Sequence, residues 1–241
     1  MTESPDEDYR RAAVDLLGAI AYGELSAFER LVEDAKMAPG IGDKIAIGAM
    51  ATAEFAHLQK LVDRLEELGA DPVEAMQAFQ ASFDSFHAHT APADYYEGLI
   101  KAYVGDGLAA DFYREIAAYL DTETREVIIA SLEDAGQTAF IVERVRAGIA
   151  EDHRLGGRLA LWGRRLMGEA LTQAQRVAGD RESLTALLAG GVDRPGLDLA
   201  ALGRMFTRLT ELHAARMAQL GLDALGGPGQ GPVRTAGRPD R

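Results

Sequence analysis

The 241-residue chain has no cysteine. That removes disulfides, thiolate catalysis, zinc fingers and iron–sulfur clusters from consideration. No apolar stretch approaches the roughly 20 residues needed to span a bilayer. The first residues, "MTESPDEDYRR", are acidic and polar, the wrong chemistry for a signal or transit peptide. A cytoplasmic protein with no membrane partner is expected. Basic residues are also scarce, 25 against 38 acidic ones, for a formal charge of −13. Such a surface repels nucleic acid in general, because phosphate contacts supply most of that affinity. One arginine-rich stretch stands apart, with Arg144, Arg146, Arg154, Arg158, Arg164, Arg165 and Arg176. It reads either as a solvated helix face or as a local site for tRNA.

Strand alternation is nearly missing too, and a helical period takes its place. With 47% apolar residues the chain can bury a substantial core. Helices are expected from Pro5 to Met37, Asp43 to Leu68, Val73 to His87, Asp94 to Leu120, Thr124 to Ala150 and Leu155 to Ala178. "APGIGD", "GADP" and "HTAPAD" supply the breaks, with Thr90 as a cap and Pro92 in a first turn. One or two shorter helices fill Arg181 to Leu222. The fold class is therefore all-α: a four-helix bundle over residues 1–180 and a helical extension over 181–225. The tail over 226–241, "GGPGQGPVRTAGRPDR", is Gly- and Pro-rich and expected to be disordered.

Four long helices turn an acid inward. Glu24 lies among Leu17, Ala21, Phe28 and Leu31, and Asp106 among Leu99, Tyr103, Ala110, Tyr113 and Ala117. Glu54 and His57, three residues apart on one face, share a stripe with Ile47, Met50, Leu58, Leu61 and Leu65. Asp134 and Gln137 follow the same spacing among Val127, Ser131, Ile141 and Val145. Each half thus reads as one acid on a helix and acid-x-x-(His or Gln) on the next, a duplicated pair with the layout of dinuclear carboxylate sites. Four carboxylates in one core require cations or raised pKa values. No Lys or Arg falls on these stripes.

Each residue also has a plainer reading. Glu24 could pair with Arg30 at a helix edge, His57 could be a hydrogen-bonded core histidine, and Asp106 and Asp134 could be solvated or capping. Glu115, half a turn off Asp106, reads as surface. His87, His89 and His153 read as caps or exposed residues, and Trp162 as packing. Tyr22, Tyr103 and Phe28 are expected around the site. Leu159, Leu161, Leu166, Met205, Leu209 and Met217 offer more apolar surface than one bundle needs, which suggests a homodimer.

The spacing, with "AEFAHLQKLVDRLEELGADP", "TAPADYYEGLIKAYVGDGLAADFYREIA" and "GRLALWGRRLMGEAL", resembles the ferritin-like superfamily over residues 8 to 178. Within it the chain looks most like the tRNA isopentenyladenosine hydroxylase-like branch. The resemblance implies a ferritin-like bundle and two irons held by Glu24, Glu54, His57, Asp106, Asp134 and Gln137. It also implies an oxygen-dependent hydroxylation, with a modified nucleoside or another small molecule as substrate. Asp106 and Asp134 are shorter than the family's glutamates, and Gln137 stands where it has histidine. The second iron position is therefore expected to be weak or empty. The alternative is a degenerate ferritin-like scaffold that has lost catalysis.

Overall fold

The computed structural model describes residues 5–132, 137–181, 183–184 and 199–222. Among them every regular element is a helix. The helices are α1 (Pro5–Asp34), α2 (Ile41–Glu67), α3 (Pro72–Gln77), α4 (Gln80–His89), α5 (Tyr95–Ala117), α6 (Thr122–Ser131), α7 (Gln137–Glu151), α8 (His153–Asp180) and α9 (Leu199–Gln219). The expected all-α class holds.

The polar ends of these helices are set by short side chains that replace missing backbone partners. Asp71, Asp94, Asp121 and Asp152 cap α3, α5, α6 and α8 by accepting from backbone N–H groups of the first turn. At α5 the third helical residue, Glu97, reaches back to the amide of Ala93 at 2.8 Å. Thr90 closes α4 instead of opening α5, its hydroxyl donating to the Phe86 carbonyl at 2.6 Å, so Pro92 precedes the helix. The "GADP" stop works through Gly69, whose φ of 70° only glycine adopts cheaply. Its amide and that of Ala70 bond back to Glu66 and Leu65, closing α2 with a Schellman motif.

Two expected helices are each interrupted. The span from Val73 to His87 divides at Ala78 and Phe79, which turns the Phe79 ring into the core at 1% exposure. The span from Thr124 to Ala150 divides after Ser131, where α6 ends. Asp134, the Gln137 side chain and the tail from residue 223 lie outside the described residues.

α1 packs along α2, while α5 is enclosed by α1, α6, α7, α8 and α9. The apolar residues form two clusters stacked along the bundle. One joins Leu16, Leu17 and Ile20 of α1 to Leu61 and Leu65 of α2 and to Ile116 and Ala117 of α5. The other joins Leu31, Ile47 and Met50 to Leu99, Val104, Ile141 and Leu159. Each large aliphatic side chain buried this way contributes about 1.5–3 kcal/mol from water exclusion. Glu24, Glu54 and His57 fall between the two clusters in sequence on α1 and α2.

The apolar residues that suggested a dimer belong to this interior. Leu159, Leu166, Met205, Leu209 and Met217 are buried against their own chain, and of that set Leu161 is exposed. α9 is locked to α5 by Arg208, which holds Glu115 at 2.7 and 2.5 Å, and by Arg216, which reaches Asp111 and the Gly107 carbonyl. Glu115 is therefore a half-buried tether, where a free surface residue was expected. Gly107 permits the contact, since a Cβ there would come within 2.1 Å of Arg216 Nε.

Candidate metal centre

Glu24, on the inner stripe of α1, meets Glu54 and His57 from one turn of α2. His57 Nδ1 lies 3.8 Å from Glu24 Oε2 and 3.8 Å from Glu54 Oε2. One donor atom from each of the three lies within 4.8 Å of the other two. Arg30, considered as a partner for Glu24, instead pairs with Glu33 at 2.9 Å. Glu24 Oε2 is buried without a hydrogen-bond partner.

Burial is the first cause of what happens to the acids. It raises Glu24 to about 7, with the Asp106 charge adding to the rise and a hydrogen bond with Glu54 opposing it. Burial likewise raises Glu54, with His57 opposing. Near neutral pH the apo pair retains protons that solvated carboxylates would have lost.

Asp106 lines the same cavity but is exposed, whereas Glu24 and Glu54 are buried and His57 half-buried. The expected shell is partly rearranged. Tyr103 lines the cavity and donates to Gln219 at 2.6 Å, whereas Tyr22 turns outward to Asp84 at 2.9 Å and Phe28 packs at a tilt against Phe55. Tyr113, noted in the sequence only as part of a stripe, lies against the site, with its pKa raised by burial and by the Glu24 charge.

The cavity measures about 600 Å³, the size of a small-molecule site. Phe83, Phe86, Phe112 and Leu16 make its walls largely apolar. His87, expected to cap or face solvent, lines it too, and burial pushes its pKa down to about 3. Lys101 also lines the cavity at 6% exposure, although no cation was expected on the inner stripes. Sequence reasoning missed it by following one face of α5. Trp162 packs as expected, donating to the Glu97 carbonyl at 3.0 Å.

The donor set fits a metal. Two carboxylates and an imidazole suit ferrous iron and its neighbours in the series. Donors about 2.1 Å from a shared ion stand roughly 3–4 Å apart, and the 3.8 Å separations meet that. The orphaned Glu24 oxygen is the kind of buried group a cation would satisfy.

A family model described as "Ferritin-like domain, actinomycetes" matches residues 7–191. A solved structure of a Synechococcus protein with aldehyde deformylating oxidase activity is similar over 90% of this chain and 93% of that one, with a TM-score of 0.67. At 19% identity that likeness is one of fold. No curated protein matches the sequence. Among the described residues, no helix is long and apolar enough to cross a membrane.

Proposed function

The chain belongs to the actinomycete ferritin-like domain family, and from that premise we propose that it binds iron at Glu24, Glu54 and His57 and oxidises an organic substrate held in the adjoining cavity. The observation that carries this reading is the convergence of two buried carboxylates, one oxygen of them unpartnered, and a half-buried imidazole on the wall of a 600 Å³ cavity.

Bound iron supplies the reaction with dioxygen on which oxidation of a carbon centre depends. The protein's own residues do the rest. Glu24 and Glu54 hold protons in the apo state and give them up as they become ligands. Tyr113, buried and neutral, lines the cavity near Glu24. The phenylalanine walls exclude water and hold apolar substrate surface.

Hydroxylation of a modified tRNA adenosine is the finer reading, and it has less support. Arg158 is paired with Asp94 and Glu97 at 2.5 Å, and Arg165 donates to the His89 carbonyl while lying over Trp162. Arg158, Arg164 and Arg165 are all exposed, but Arg158 and Arg165 are already engaged with their own chain. A free small molecule suits the cavity better. The scaffold reading is less well supported still, because a module used for its surface gains nothing from two buried carboxylates side by side, one with an unpartnered oxygen.

Metal analysis of anaerobically reconstituted protein tests the proposal. Iron retained by the native chain and lost in His57→Ala, together with oxygen consumption by the ferrous form, is the expected result. A chain that retains no iron under these conditions overturns it.

A further inference from the structure

The cavity has a second polar pole, built from residues the proposed metal centre does not use. Arg30 and Asp34 of α1, His87 of α4 and Lys101 of α5 all line it. On α1, Arg30 and Asp34 lie six and ten residues beyond Glu24, which is about 9–15 Å along the helix axis.

Lys101 is the anomaly. It is 6% exposed, and its Nζ makes no hydrogen bond. The Phe86 ring, with its centroid 5.6 Å from Nζ, offers a weak cation–π contact. Asp34 acts on the ammonium electrostatically, as do Glu33 and, with opposite sign, Arg30. Burial lowers the lysine to about 8 and raises Asp34 to about 6, so both are charged at neutral pH. His87 Nδ1, on α4, also lacks a partner. Burial, Lys101 and Arg30 all act to keep that imidazole neutral. Two unsatisfied buried polar atoms at one end of an apolar cavity are costly unless a ligand supplies acceptors.

We propose that the cavity takes an amphiphilic carboxylate, its head accepting from Lys101 Nζ and its apolar body running along the phenylalanine wall toward Glu24, Glu54 and His57. A single ammonium already biased by Asp34 suits a monoanion better than a doubly charged head. An extended chain advances about 1.25 Å per carbon–carbon bond of ~1.5 Å. Spanning the two poles therefore takes roughly seven to twelve carbons. The substrate would be anchored by its head, and the oxidised carbon would lie well down the chain.

This substrate class rests on the metal reading above for its chemistry, but its binding test does not need metal. Calorimetric titration of the full chain at pH 7 compares decanoate with decan-1-ol. Decanoate is expected to bind at least tenfold more tightly. Lys101→Met should cut that preference below threefold while decan-1-ol affinity stays within threefold of the native value. Asp34→Asn removes the competing carboxylate and should tighten decanoate binding severalfold. Equal binding of the two ligands by the native chain, or a preference that survives Lys101→Met, overturns the proposal. If Lys101→Met loses decan-1-ol binding as well, the Asp34→Asn result decides, and an unchanged or weaker decanoate affinity counts against it. Ferrous iron binding by the same Lys101→Met sample should match the native chain. Iron failing to bind the native chain while the decanoate preference holds would sink the metal reading and leave the anchor standing.

Discussion

Replacing Glu24 by glutamine should stabilise the metal-free protein at alkaline pH while removing its response to iron. Burial raises this carboxyl from 4.5 to about 7 in the fold. Between those values the folded state holds a proton that the unfolded state has released, so stability falls as pH rises through the window. The difference of roughly 2.5 units, at 1.36 kcal/mol each, sets a ceiling of about 3 kcal/mol. Glutamine keeps the shape, carries no charge, and its amide can donate to Glu54. Part of the ceiling goes to the altered hydrogen bonding, which leaves an expected gain of about 1–3 kcal/mol at pH 8. For a domain of this size that is a rise in Tm of roughly 2–10 °C.

The same variant should show no gain at pH 4.5, where native Glu24 is already neutral in the fold. Adding ferrous iron anaerobically at 100 times its Kd should stabilise the native chain by about 2.7 kcal/mol. Glu24→Gln should gain far less. Differential scanning calorimetry of chelator-treated and iron-loaded samples at the two pH values gives all four numbers. A metal-free Glu24→Gln protein that is destabilised equally at pH 8 and pH 4.5 would refute the reasoning, because Glu24 would then be an ordinary structural residue. Equal stabilisation of both proteins by iron would refute the ligand role alone.

Iron titration should show two unequal steps or one, with Gln137→His strengthening the weaker step; two equal, tight steps would contradict the reading of Asp106, Asp134 and Gln137 as a weak half. His87, held neutral with a pKa near 3 against 6.5 in the unfolded chain, costs stability as pH falls below 6.5, up to about 5 kcal/mol. His87→Leu should flatten the acid limb of a denaturant-midpoint profile. Gly107→Ala drives a Cβ into Arg216 and should lower stability by about 1–3 kcal/mol, read as a lower urea midpoint. tRNA binding in a filter assay should be no tighter than about 1 μM at physiological salt and should weaken further as salt is added. Tight binding that survives Arg164→Ala and Arg165→Ala would place any RNA site elsewhere.

Where a helix has one buried face, the amino-acid pattern reveals it. The α1 and α2 stripes were legible because Leu17, Ala21 and Leu31, and then Ile47, Met50, Leu61 and Leu65, recur at helical spacing, and all are buried. The interruption at Ala78 and Phe79 was not legible, because neither residue is a breaker. The chain turns there so that Phe79 can enter the core, a tertiary demand with no local signature. α5 is the instructive failure. Following Leu99, Tyr103 and Tyr113 led to Asp106, yet Glu97, Lys101, Val104, Leu108 and Asp111 form a second stripe with steps of four and three, all buried. A helix packed against five others buries more than one face, so its charges cannot be assigned to solvent from periodicity. Glu97 and Asp111 answer arginines from α8 and α9. Lys101 answers no hydrogen-bonding group at all, and on a helix enclosed by its neighbours that makes the cavity the place to look for its partner.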